Sequence, residues 1–84
     1  MSHTPHELAA EFPQDAAAIH ALKMNDPHFA KLADAYHEVN RAIHRIESGI
    51  EAASDERTEN LKKKRLALLD EISPIIAKAR AAQV

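Results

Sequence analysis

Seven apolar residues, Phe29, Leu32, Tyr36, Val39, Ile43, Ile46 and Ile50, follow one another at spacings of 3, 4, 3, 4, 3 and 4. Alternating threes and fours are the a/d seam of a helix that lies against another helix. The seam predicts one long helix over residues 26–53. Asn25-Asp26-Pro27 starts it: Asp26 can accept from free backbone N–H groups, and Pro27 falls where its missing N–H costs nothing. Gly49 lies inside the pattern and costs roughly 1 kcal/mol relative to alanine, so the last turn is expected to fray.

A second long helix is expected over residues 55–82. Ser54 or Asp55 caps it, and acidic residues in its first turn favour the helix dipole. Leu61, Leu68, Ile72, Ile75 and Ala79 form its main seam; Leu69 and Ile76 widen the seam, and Leu66 falls to one side. Pro74 removes a backbone hydrogen bond and predicts a kink. Two long helices joined by so short a turn fold back antiparallel. With the turn near residue 54, facing residues have numbers summing to about 107 or 108. That register pairs Ile46 with Leu61, Val39 with Leu68, Tyr36 with Ile72, Leu32 with Ile75 and Phe29 with Ala79. It also brings Glu51 to Arg57 and Glu47 to Lys62.

Ahead of the hairpin, residues 1–25 read as an N-terminal helical segment. Thr4, Pro5 and Glu7 form a helix start of the capping-box kind, with Thr4 as N-cap and Glu7 at the third position. The short helix they open carries Leu8 and Phe12 and stops at Pro13. A second amphipathic piece follows over about residues 14–24, with Ala16, Ile19 and Leu22 as its buried stripe. The fold class is therefore all-α: an antiparallel, coiled-coil-like two-helix hairpin preceded by one or two short helices, in a single domain over residues 1–84.

A hairpin cannot surround its own seam, and chains of this size bury little core. Either the N-terminal segment covers the excess apolar face or a second chain does. The small size favours a homo-oligomer, with a dimer first, or an unidentified protein partner. Leu66, Leu69, Ile72 and Ile76 are the candidate partner or oligomer interface.

Eleven basic against 13 acidic residues give a net charge of -2, with no general pull toward nucleic acid or anionic membrane. The chain has no cysteine, which removes disulfides and thiolate zinc sites and fits a reducing compartment. The stretch MSHTPHELAAEF has no basic flank followed by an apolar run, so no signal peptide is expected. No apolar run approaches the ~18 residues of a membrane span. A cytoplasmic protein with no membrane association is the expectation.

The stretch DPHFAKLADAYHEVNRAIHRIE, followed by SDERTENLKKKRLALLDEI, resembles the YdcH-like family of small bacterial helical proteins (DUF465). The lead-in FPQDAAAIHALK also resembles that family's N-terminal segment, so the resemblance covers nearly the whole chain. The resemblance implies a short helical hairpin with coiled-coil character, and carries no activity, substrate, cofactor or catalytic residue. The chain departs from the family pattern at Leu69-Asp70-Glu71, where Lys-Asp-Glu is usual, and at Pro74, which interrupts a usually continuous helix.

The remaining residues with chemical potential read mostly as structure. His37 and His44 lie one heptad apart, about 10 Å along the helix, too far to share one metal ion. His3 and His6 offer at most weak copper or nickel binding, so no metal site and no cofactor is assigned. Lys62, Lys63 and Lys64, with Arg41, are the candidate nucleic-acid contacts of an alternative reading. Consecutive helix positions point ~100° apart, however, and no aromatic residues interleave to stack on bases. Arg65 occupies a seam position; its stem is expected against Ile43 and its head at Glu47 or Glu38. Tyr36 reads as core. There is no glycine-rich phosphate loop, nucleophile elbow or carboxylate pair, so an enzyme is not expected.

Overall fold

A computed structural model describes residues 7–82. Among these described residues four α-helices follow in order: α1 (Leu8–Glu11), α2 (Ala16–Asn25), α3 (Pro27–Glu47) and α4 (Asp55–Ala82), with a 3-10 turn at Pro13–Asp15 between the first two. No strand occurs among the described residues. The 28 residues of α4 span about 42 Å at 1.5 Å each, close to the 45 Å long axis of the molecule. The two long helices pack against each other, and α2 lies across both.

Local chemistry sets the element boundaries. Phe12 leaves the helical region (φ -127°, ψ 64°) ahead of Pro13, and Pro13 opens the 3-10 turn. Asp26 stands between α2 and α3 in extended conformation, and its Oδ1 accepts from the Phe29 N–H at 3.1 Å. Pro27 occupies the first helical position, as expected. Ser54, rather than Asp55, caps α4, its Oγ accepting from the Arg57 N–H at 3.1 Å. α4 runs unbroken through Pro74. Pro74 and Asp70, whose carbonyl loses its helical partner there, are both exposed, so water can replace the missing bond.

Three local expectations are corrected. First, α3 ends at Glu47 rather than Ala53, and Ile50 is 76% exposed instead of extending the seam. Gly49 is the cause. At φ 80° it is the left-handed residue just past the helix; its N–H bonds to the Ile46 carbonyl (3.1 Å), and Ile50 N–H bonds to that of Arg45 (3.0 Å). This double closure is a Schellman motif, so the glycine terminates the helix instead of burdening it. Second, Glu7 is the extended N-cap residue of α1, not its third helical position. Its carboxylate meets His37 across the fold; Thr4 and Pro5 lie outside the described residues. Third, Ala16 is exposed, and the buried residues of α2 are Ala18 and Ile19, with Leu22 half-buried and Asp15 buried in the turn just ahead of it.

The core joins Leu8 and Ile19 to Phe29, Ala33, Tyr36, Val39 and Ile43 of α3 and Leu68, Ile72 and Ile76 of α4. Phe29, Tyr36, Ile72 and Ile76 have no exposed surface. Both polar pairs that the register predicts across the turn form: Arg57 Nη1 to Glu51 Oε2 at 2.9 Å and Lys62 Nζ to Glu47 Oε2 at 3.7 Å. Residues 7–25 lie over the hairpin.

Candidate interaction surface

The four apolar residues picked out on α4 divide into two groups. Ile72 and Ile76 lie wholly inside the chain's own core, and Leu69 is half-buried against it. Ile72 and Ile76 are therefore unavailable to a partner in this conformation, because α2 takes the place an external helix would have taken. Leu66 is 60% exposed. It stands two residues before Leu68, about 160° around the helix from that buried side chain. Lys62 and Lys63 precede it by one turn, and Leu69 and Asp70 follow by one turn, so they share its surface neighbourhood.

Lys62, Lys63, Lys64 and Arg41 are all exposed. Lys62 is engaged by Glu47, so the basic run is partly neutralised. Arg65 departs from its neighbours and from its expected partners. It is half-buried, and its Nη1 donates to Oδ1 of Asn40 at 3.0 Å rather than reaching Glu47 or Glu38. Asn40 is 1% exposed. The amide lies one position past Val39, close enough to the seam to meet Arg65 from the facing helix.

Three further features were not anticipated from sequence. Asp15, 5% exposed, receives Nε and Nη2 of Arg80 on its two oxygens at 2.8 and 2.6 Å. This bidentate pair holds the Arg80 guanidinium above its ordinary pKa, through hydrogen bonding and charge together. His37 Nδ1 lies 3.0 Å from Glu7 Oε2, tying the start of α1 to α3. A cavity of about 120 Å³ opens beside that pair, lined by Leu8, Ile19, Lys23 and Tyr36 among others. Burial pushes the Tyr36 phenol up to about 12; the Glu11 and Glu7 carboxylates add to the shift, and Arg65 opposes it. None of these pairs follows a spacing rule, since their partners are 25 to 65 residues apart.

At the turn, Glu51 sits between Arg57 (2.9 Å) and Arg45 (3.5 Å). The Arg57 hydrogen bond is the main reason its carboxyl lies below the usual range. The carboxylate thus ties the loop to the ends of both long helices, with Ile50 exposed beside it.

No group of three or more His, Asp or Glu with metal-binding placement occurs among the described residues. Among them, no helix is long and apolar enough to cross a membrane. Comparisons with curated proteins and with solved structures gave no match. Residues 29–76 do match a protein family, over α3 and most of α4 but not the lead-in at residues 12–23. That match spans more than half of the 84 residues, and the chain belongs to the family described as protein of unknown function (DUF465).

Proposed function

We propose that this protein is a small, non-enzymatic helical interaction module of the cytoplasm that recognises a protein partner through the outward face of α4, centred on Leu66. The observation that carries this reading is the exposure of Leu66 at 60% after the core has been closed by residues 7–25 of the chain itself. A large apolar side chain on a packed helix, with half-buried Leu69 beside it and Lys62, Lys63 and Asp70 around it, has the composition of an anchor with a polar rim. The cysteine-free sequence supports the reducing setting. Self-association through the same face belongs to this reading, with a second copy as the partner.

Site-specific photo-crosslinking in cells tests it. A photoreactive residue at position 66 is expected to give discrete protein adducts that survive nuclease treatment, while one at Asp34, exposed on α3, gives none. The reading is overturned if position 66 yields no adduct. It is also overturned if the adducts carry nucleic acid, which would move the contact to Lys62, Lys63, Lys64 and Arg41.

A further inference from the structure

Residues 7–25, comprising α1, the 3-10 turn and α2, form an arm laid on the α3–α4 hairpin. Leu8, Ala18 and Ile19 of the arm are buried, and Leu8 and Ile19 share one cluster with the fully buried Phe29, Tyr36, Ile72 and Ile76. The arm's backbone hydrogen bonds outside its helices stay local: Ala10 and Glu11 to Glu7, Phe12 to Leu8, Asp15 to Phe12, and Asp26 to Leu22 at the corner. Side chains therefore dock it, and two polar contacts, one of them an ion pair, anchor it at separate places. His37 of α3 meets Glu7 near the start of the arm, and Arg80 of α4 grips Asp15 in its middle.

The join between arm and hairpin is a single residue. α2 ends at Asn25, α3 begins at Pro27, and Asp26 between them has φ -125° and ψ 100°. A residue before proline resists the helical region, so α2 and α3 cannot merge into one straight helix. Pro27 brings no N–H to hold the corner closed. The two backbone bonds of Asp26 each stay with one helix end: its N–H donates to the Leu22 carbonyl of α2 at 2.8 Å, and its carbonyl accepts from the Ala30 N–H of α3 at 2.9 Å. The α3 cap from Asp26 to Phe29 moves with α3, so rotation at Asp26 can swing the arm away while both helices stay intact.

We propose that the arm is exchangeable: a second copy of this chain seats its residues 7–25 on the hairpin and receives the reciprocal arm, Asp15 of one copy meeting Arg80 of the other. The occupant is argued from the fit on hand. The groove accepts this amphipathic arm, with an acid placed for Arg80 and another for His37. Exchange recreates every arm–hairpin contact and alters only the corner. The balance between closed monomer and exchanged dimer is set by the effective concentration that tethering gives the arm, on the order of millimolar for a short tether. The exchange uses no residue of the outward α4 face, so it stands or falls separately from the Leu66 reading.

The test uses the full wild-type chain. Isotope-labelled and unlabelled protein are unfolded together, refolded at about 1 mM, the range of that effective concentration, and compared by native mass spectrometry and isotope-filtered NOE spectroscopy. The expected result is a dimer of mixed mass with NOEs from the Ile19 methyls of one copy to the Tyr36 ring of the other, two residues that line the same cavity. Absence of a mixed dimer overturns the proposal. A mixed dimer whose Ile19–Tyr36 NOEs stay within one chain also overturns it, because the copies then associate through another surface.

Discussion

Arg65 reaches from α4 to donate to Oδ1 of Asn40 on α3 at 3.0 Å, placing a charge-assisted hydrogen bond beside an otherwise apolar seam. Buried polar pairs of this kind are a weak source of net stability, but removing one member is costly because the other was desolvated to meet it. Replacing Arg65 by leucine is therefore expected to lower stability by about 1.5–3 kcal/mol. Exchanging both Arg65 and Asn40 for leucine should recover most of that loss. Urea unfolding of the three proteins checks this; a rise in stability for the single variant would mean that Asn40 had no need of the guanidinium.

Ile76 and Leu66 are both branched apolar residues of α4 with opposite surroundings, one fully buried and the other 60% exposed. Ile76→Ala is expected to destabilise the isolated protein by about 2–5 kcal/mol through lost transfer energy and a cavity. Leu66→Ala should stay within about 0.5 kcal/mol. Similar losses at the two positions, measured by chemical denaturation, would contradict this division between core and surface.

Gly49 ends α3 at φ 80°, and a Cβ built there meets nothing within 4 Å. A substitution at this site consequently reads backbone strain without a packing component. Gly49→Ala is expected to cost about 1–2 kcal/mol, the penalty for an L-residue in the left-handed region. Gly49→Asn should cost less, since asparagine tolerates that region better. Equal stability of wild type and Gly49→Ala in thermal unfolding would show that the turn adopts another conformation in solution.

Tyr36 has its phenol pushed up to about 12 from an ordinary 10.0, chiefly by burial. The folded state thus favours the neutral phenol more than the unfolded chain does. Its contribution to stability is fully present below pH 10 and is lost as pH climbs toward 12. High pH acts on more of the chain than this one phenol, so the useful quantity is the difference from Tyr36→Phe. Wild type is expected to lose more stability than the phenylalanine variant across this window. Parallel profiles would mean that the phenol is not displaced from its ordinary titration.

The outcomes at Gly49, Arg65 and Ile76 show where reading the chain by period stops being sufficient. The 3-4 spacing through Ile50 continued past the point where the helix ends, because one left-handed glycine overrides periodicity without disturbing it in the sequence. Arg65 was recognisable as a charge at a seam position, but choosing among Glu38, Asn40 and Glu47 depends on rotamers and interhelical offset. Ile76 was recognisable as excess apolar surface. Whether an arm or another molecule covers it depends on the direction in which the chain leaves Asp26.

Local, periodic chemistry was thus legible from residue order alone: the two long helices, the Asp26-Pro27 start, a cap at Ser54-Asp55, and a turn short enough to force an antiparallel hairpin. These follow from interactions among residues a few positions apart, and from the one register that aligns both seams. The tertiary structure alone decided that the arm closes the core, that Asp15 meets Arg80 and Glu7 meets His37, and that Leu66 stays outside while Ile72 and Ile76 do not. Those relationships join residues far apart in sequence, and their physical basis is the packing of three faces into one shared interior.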